Sequence, residues 1–437
     1  MASVAAGVRR LRRSSEPTVA VVAARAPIEY SMLLTATLCL LAGGAVMVYS
    51  ASAPSALTGG GSGTGVLIRF AAYALVGLGV LRVTARIGLD VVRRMTGPLL
   101  GISFILLVAV KLPGIGHSSG TVAQRWIGVG PIQFEPSELM KLALILYAAH
   151  IFSAGRPGVR SVTTAFKRLL IVGGSAALLI ATQPDIGTTL VIVVAMMAIV
   201  LTAGVPMRWL VIAGLVCAVA VGGFALAKPY AAARLTSFTN PWAHASGSGF
   251  QAVQSQIAIG SGGLLGRGPG QSIQKDAWLP EAPTDFILAV VGEELGFAGI
   301  AALLALYGLI AFAGLRSARR ARGAYAILIA VGVTSMIVFQ ATLNAFAVLG
   351  IAPVTGVPLP FVSYGASNLL VMLAGMGLLL NVSGGGAAHL QAVRTRSRNT
   401  PRSPDGRTGA DRDRSRRDRR PHRAGARGGR RASGAGG

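Results

Sequence analysis

The sequence predicts an all-α polytopic membrane protein of about ten transmembrane helices with a large ordered outer loop. Three observations carry this. Apolar residues make up 52% of the 437-residue chain and charged residues only 13%, against roughly 25% charged in a soluble domain. Mean hydropathy is +0.61. Apolar runs close to the length of a bilayer span recur along most of the chain, which sets aside the soluble reading of about three domains that length alone would suggest.

A hydrocarbon core takes about 20 apolar residues per helix. The candidate spans fall at roughly 31–50, 66–82, 96–112, 137–153, 167–182, 187–204, 207–227, 285–315, 324–350 and 363–382. The first ends in Ala51-Ser52-Ala53, which resembles a signal-peptidase site. Its apolar stretch exceeds the roughly 7–15 residues of a signal peptide, so it is expected to stay as an uncleaved span. Cys39 and Cys217 both fall inside apolar runs and read as buried free thiols, and the five histidines are too scattered for a metal site.

Alternate loops differ in basic content, and the basic loops face the cytoplasm. One set holds Arg82, Arg86, Arg93, Arg94, Arg156, Arg160, Lys167, Arg168, Arg208, Arg316, Arg319, Arg320 and Arg322. An even number of spans puts both termini on that side. Residues 1–30 form a basic arm, 31–386 the membrane domain, and 387–437 a tail with fifteen arginines against four aspartates and almost no large apolar residue. Such a tail is expected to be disordered. The net charge of +26 therefore points to anionic lipid headgroups or a cytoplasmic division protein as partners of the tail, not to nucleic acid.

The outer stretches 113–136, 183–186, 228–284 and 351–362 are rich in Gly, Pro, Ser and polar residues. The longest is too long to serve only as a connection, and Trp242, Phe250 and Trp278 within it favour order. The chain reads QRWIGVGPIQFEPSELMK at 124–141, QPDIGT at 183–188, FQAVQSQIAIGSGGLLGRGPGQSIQKDAWLPEAPTDFILAVVGEELG at 250–296 and IAPVTGVPLPFVSYGASN at 351–368.

Over roughly residues 31–382 these motifs, in this order, resemble the SEDS family (FtsW, RodA, SpoVE) of cell-wall elongation, division and sporulation. Gly292-Glu293-Glu294-Leu295-Gly296 leans towards the FtsW/SpoVE branch. One departure is Ser363-Tyr364-Gly365-Ala366-Ser367-Asn368, where the family usually continues Ser-Tyr-Gly-Gly-Ser-Ser. It bears on the local turn and on any contact by the last serine. The resemblance implies a peptidoglycan glycosyltransferase that polymerises lipid II on the outer face of the cytoplasmic membrane. It also implies a class B penicillin-binding protein as partner. No cofactor is called for, and a divalent cation is left unassigned.

Asp285 matches the family's catalytic aspartate in Leu-Pro-Glu-Ala-x-Thr-Asp-Phe. A sugar hydroxyl is a weak nucleophile, and a base that takes its proton is worth typically 10²–10⁴-fold. From position alone Asp285 equally reads as an acid complementing the dipole of the eighth span. Glu281 either holds the acceptor or pairs with a nearby cation, or is a solvated loop acid. Lys275 and Arg125 either meet the lipid diphosphate, whose charge grows as it leaves, or anchor at the interface. Asp185, in Gln183-Pro184-Asp185, either contacts substrate or caps a helix after a tight turn. Ser363 and Ser367 complete the substrate-contact candidates.

Gly260 to Gly270 reads as a nest of amides for a pyrophosphate or as a flexible loop. Glu138 and Lys141, three apart, are expected to pair, and Asn344 to hydrogen-bond between helices. Two other functions compete with polymerisation: a lipid II flippase, which needs polar groups along a route through the midplane, and a non-catalytic divisome scaffold.

Overall fold

The computed structural model describes residues 27–58, 63–112, 114, 116–117, 124–129, 132–154, 159–227, 237–275 and 278–385. Nearly all of the basic arm, the Arg-rich tail and residues 228–236 of the outer loop lie outside the described residues.

Each expected span is a helix. In chain order these are α1 (Ile28–Thr58), α2 (Gly63–Arg86), α3 (Leu89–Ala109), α4 (Pro136–Ser153), α5 (Val159–Ala181), α6 (Ile186–Thr202) and α7 (Met207–Ala227). A short α8 (Phe250–Gly262) belongs to the outer loop, and α9 (Ile287–Arg320), α10 (Ala324–Val348) and α11 (Ala366–Ser383) complete the bundle. Among the described residues, seven are long and apolar enough to cross a bilayer by length and composition alone. Of the other three, α4 carries Glu138 and Lys141 and α6 is 17 residues long, while α7 is 21 residues long but only part of its side chains is described.

Helices α10 and α11 are mostly buried, while α2, α3 and α5 present Leu75, Ile105 and Ile171 outward. That is the distribution of a membrane bundle, whose apolar surface faces lipid rather than water. Between helices in lipid, close van der Waals packing replaces the hydrophobic drive. Helix α11 lies along α2, and a side chain at Gly377 would run into Thr84 and the Leu81 backbone. Cys39 departs from expectation: it is exposed on α1, because its helical face looks away from the bundle. The side chain of Cys217 is not among those described.

Between α3 and α4 a small antiparallel sheet forms, β1 (Gly116–His117), β2 (Trp126–Val129) and β3 (Ile132–Phe134), in that order, with Gly128 opposite Gln133. It shares one end of the bundle with the long loop and with the 349–365 connection. Ser367 accepts from the Glu135 amide at 2.9 Å, and the Tyr364 amide donates to the Pro283 carbonyl at 2.9 Å. At the opposite end Glu29, buried, pairs with Arg316 and Arg320.

The outer loop owes its order to α9. Gly296 breaks that helix with φ 67° and ψ −163°, a region open to glycine and costly to residues with a Cβ. The break frees the Glu293 and Glu294 carbonyls and the Phe297 and Ala298 amides from their usual partners four residues away. The outer loop takes all four. Arg267 and Gly268 amides donate to Glu293 and Glu294 carbonyls at 2.9 and 3.0 Å, and Phe297 and Ala298 amides donate to Gly263 and Leu264 carbonyls at 2.9 and 3.1 Å. The loop is ordered, as its aromatic content suggested, although Trp242 and Trp278 are themselves exposed.

Candidate active site

Asp285 sits in the turn just before α9, not inside its first helical turn. Residues 281–286 close on themselves: Thr284 and Phe286 amides donate to the Glu281 carbonyl at 3.2 and 3.3 Å. The main chain that carries the carboxylate is therefore held by a turn, and the N-cap position of α9 falls to Phe286, which makes no side-chain capping bond. Asp285 lines a recess with Phe286, Asn344, Val348, Thr355 and Gly356. Asn344 Nδ2 donates to the Asp285 carbonyl at 2.7 Å and to the Val357 carbonyl at 2.8 Å. A Cβ at Gly356 would stand 3.4 Å from Asp285 Oδ2, so a glycine there leaves the carboxylate room on that side. A second recess, lined by Ser237, Phe238, Pro241 and Pro353, adjoins it through Val354.

The height of the site follows from helix geometry. From Ala324 to Asn344 the rise is about 30 Å, close to the roughly 30 Å of a hydrocarbon core. Asn344 and the Asp285 backbone it holds lie near the water–lipid boundary at the loop-rich end.

Arg125 and Asp185 meet at the same end. Arg125 Nε donates to the Gln183 carbonyl at 2.9 Å and its terminal nitrogen to the Pro184 carbonyl. Asp185 is buried and caps α6, accepting from the Thr188 amide at 3.1 Å through Oδ1, which is the capping alternative. Its Oδ2 has no hydrogen-bond partner among the described residues. Glu135, which sequence reasoning passed over, stands beside it ahead of α4. Burial pushes the Glu135 carboxyl up to about 8, and the Asp185 and Glu138 carboxylates push the same way, against the Ser137 hydrogen bond and Arg125. The Glu138–Lys141 pair forms at 2.8 Å, fully buried. Lys141 goes on to Gln340 Oε1 at 2.7 Å, and Gln340 Nε2 donates to Asn368 Oδ1 at 3.0 Å. The Asn368 that departs from the usual serine thus ends a buried polar chain.

Several candidates are committed inside the fold. Lys275, expected as an open cation, is buried and donates to Glu294 Oε1 at 2.8 Å, the Gly270 carbonyl at 2.8 Å and Ser50 Oγ at 3.0 Å. Burial forces this: an ammonium out of water requires a counter-charge. Glu293 accepts from Ser272 Oγ at 2.6 Å and from the Ile273 and Gln274 amides. The Glu-Glu pair, legible in the sequence only as a family mark, thus pins the loop. The glycine-rich 260–270 run is not a loose loop, and its Gly266, Arg267 and Gly268 amides are already engaged, the last two by α9, so they have no part in a phosphate nest.

Glu281 is exposed and accepts from Thr284 Oγ1 at 2.9 Å. Ser363 accepts from the Leu359 amide at 2.8 Å, closing its own turn, and Ser367 ties the sheet to α11. Among the described residues no group of three His, Cys, Asp or Glu side chains could hold a metal ion.

The comparisons with known proteins agree along most of the chain. The FtsW/RodA/SpoVE family model, described as cell cycle protein, matches residues 30–386. The stage V sporulation protein E of Bacillus subtilis is 41% identical over 354 residues, which are 80% of this chain and 96% of that protein. A probable peptidoglycan glycosyltransferase FtsW of Trichlorobacter lovleyi is 37% identical over 360 residues, 82% of this chain and 94% of that one. Among solved structures, a chain of a peptidoglycan synthase complex that coordinates polymerization and crosslinking superposes with TM-score 0.67 at 29% identity, covering 80% of this chain and 96% of that one. The rod shape determining protein RodA of Thermus thermophilus gives 0.59 at 29% identity, over 80% and 95%.

Proposed function

This chain belongs to the FtsW/RodA/SpoVE family, and from that premise we propose that it is a peptidoglycan glycosyltransferase that polymerises lipid II, serving cell division. The observation that carries the assignment of the base is Asp285: a carboxylate at the water–lipid boundary, in a recess, with its main chain fixed by Asn344 and space beside Oδ2.

The reaction joins two undecaprenyl-pyrophosphate-linked disaccharides. Asp285 accepts the proton of the acceptor sugar hydroxyl as that oxygen attacks the anomeric carbon of the donor. The carbon–oxygen bond to pyrophosphate breaks, and the lipid pyrophosphate leaves with the bonding electron pair. One displacement inverts the anomeric centre, so no covalent enzyme intermediate is needed. A fixed base supplies about 10²–10⁴-fold of such a rate. Two of the five N–H donors of Arg125 are turned to Gln183 and Pro184, and the rest of its guanidinium meets the departing diphosphate. Lys275, held by Glu294, acts by keeping the loop in place.

In this reading the loop-rich end faces outward, both termini are cytoplasmic, and a class B penicillin-binding protein cross-links the product. The test is polymerisation of lipid II by the purified protein, alone and with that transpeptidase. Asp285→Ala and Asp285→Asn should insert and fold yet make no glycan. Normal glycan synthesis by either variant sinks the assignment of the base.

A further inference from the structure

The turn that leaves α8 exposes two leucines where an aqueous loop would carry polar residues. Leu264 and Leu265 are 75% and 82% exposed, and Phe297, next to them on α9, is 63% exposed. The turn is not a loose tip. Gly263 and Gly266 hold it with φ 57° and 81°, and the Leu264 carbonyl accepts from the Ala298 amide at 3.1 Å. Its level relative to the bundle is therefore that of residues 297–298 of α9.

That level can be measured along the helix. At the basic end α9 carries Arg316, Arg319 and Arg320, of which Arg316 and Arg320 pair with Glu29. From Arg316 back to Phe297 is a rise of about 29 Å, the thickness of a hydrocarbon core of about 30 Å. Helix α9 is 34 residues long, well beyond the roughly 20 that span a bilayer. The part after the Gly296 break covers the hydrocarbon. The part before it, 287–294, is buried within the protein.

We propose that the Leu264–Leu265 turn inserts into the hydrocarbon edge of the leaflet at the loop-rich end and anchors the 237–286 region to the bilayer. The partner is lipid acyl chain, because the leucines continue the lipid-facing surface of α9 formed by Phe297, Leu304 and Phe312, all exposed. Arg267, two residues on and paired at 3.8 Å with Glu293, stands where headgroup phosphates lie. The proposal does not rest on the glycosyl-transfer reading, only on the bundle spanning a membrane.

The test uses the full chain in lipid nanodiscs with Cys39 and Cys217 replaced by serine. A nitroxide spin label is placed at Leu265→Cys, with Gln271→Cys as the water reference and Leu75→Cys as the bilayer reference. Collision with oxygen should exceed collision with a water-soluble nickel chelate at 265, as at 75, and the order should reverse at 271. Preference for nickel at 265 overturns the proposal. So does protection from both reagents, which would mean that protein covers the turn. If the cysteine-free background fails to insert, Leu265→Trp in the native background reads the same question through added fluorescence quenched by brominated acyl chains. No added quenching would overturn it.

Discussion

Asn344 Nδ2 lies 2.7 Å from the carbonyl oxygen of Asp285 and 2.8 Å from that of Val357. One amide group on α10 thus ties the turn before α9 to the 351–358 segment on the other side of the recess. The contact is to the main chain, so it fixes where the carboxylate starts without drawing on its charge. Asn344→Ala removes both donors and leaves two carbonyls short of partners. Stability should fall by about 1–3 kcal/mol, and turnover by tens of fold, since misplacement by about an ångström can cost that much. Lipid II polymerisation and thermal unfolding, measured on the same preparation, separate the effects. A variant with a lowered melting temperature but unchanged turnover would show that Asn344 serves packing alone.

Glu135 gives a pH dependence of known sign. Its carboxyl is raised from 4.5 to about 8, so between those values the folded protein holds a proton that the unfolded chain has lost. Stability from this group therefore falls as pH rises from about 4.5 to about 8, and levels off above. Glu135→Gln keeps an acceptor for Ser137, which donates to Oε1 at 2.9 Å, and removes the titration. The variant should gain in melting temperature over the wild type as pH rises across that window. Parallel profiles for the two proteins would contradict the assignment.

The sequence made the spans legible because lipid demands continuous apolar runs, and all ten appear as helices, although some ends, such as Thr58 against 50 and Val159 against 167, extend well past the apolar run. Local pairs were legible too. Glu138 and Lys141 are three apart on one helix, and Asp185 follows a turn and precedes an apolar run. Partners distant in sequence left no signal. Lys275 meets Ser50 across 225 positions, and Ser367 meets Glu135 across 232. A lysine beside a glycine-rich run looks the same whether it is open to a diphosphate or closed on a glutamate. The break at Gly296 was hidden for a similar reason: glycine is common in membrane helices, and only its φ of 67° separates a hinge from a packing site.

The buried Lys275–Glu294 pair can be tested by charge balance. Removing one partner leaves the other uncompensated, typically at about 3–5 kcal/mol, while replacing both by apolar residues is often close to neutral. Lys275→Met and Glu294→Leu should each lower the melting temperature sharply, and the double variant should recover most of the loss. Recovered stability with recovered polymerisation would place Lys275 in the scaffold. Recovered stability with no polymerisation would return it to the diphosphate.

Gly296→Ala probes how the outer loop is held. At φ 67° an alanine costs of order 1–3 kcal/mol in backbone strain, and its Cβ would run into the Gly266 amide and the Leu264 carbonyl. The cheapest relief is to straighten α9, which restores bonds from the Phe297 and Ala298 amides to the Glu293 and Glu294 carbonyls. Those four groups would then no longer be shared with Gly263, Leu264, Arg267 and Gly268. The loop, not the helix, should suffer. Amide exchange by mass spectrometry should speed up across 260–275 while α10 and α11 stay protected, and polymerisation should drop because Asp285 closes the same loop, ahead of α9. Uniform loss of protection across the bundle would mean instead that the break stabilises the whole membrane domain.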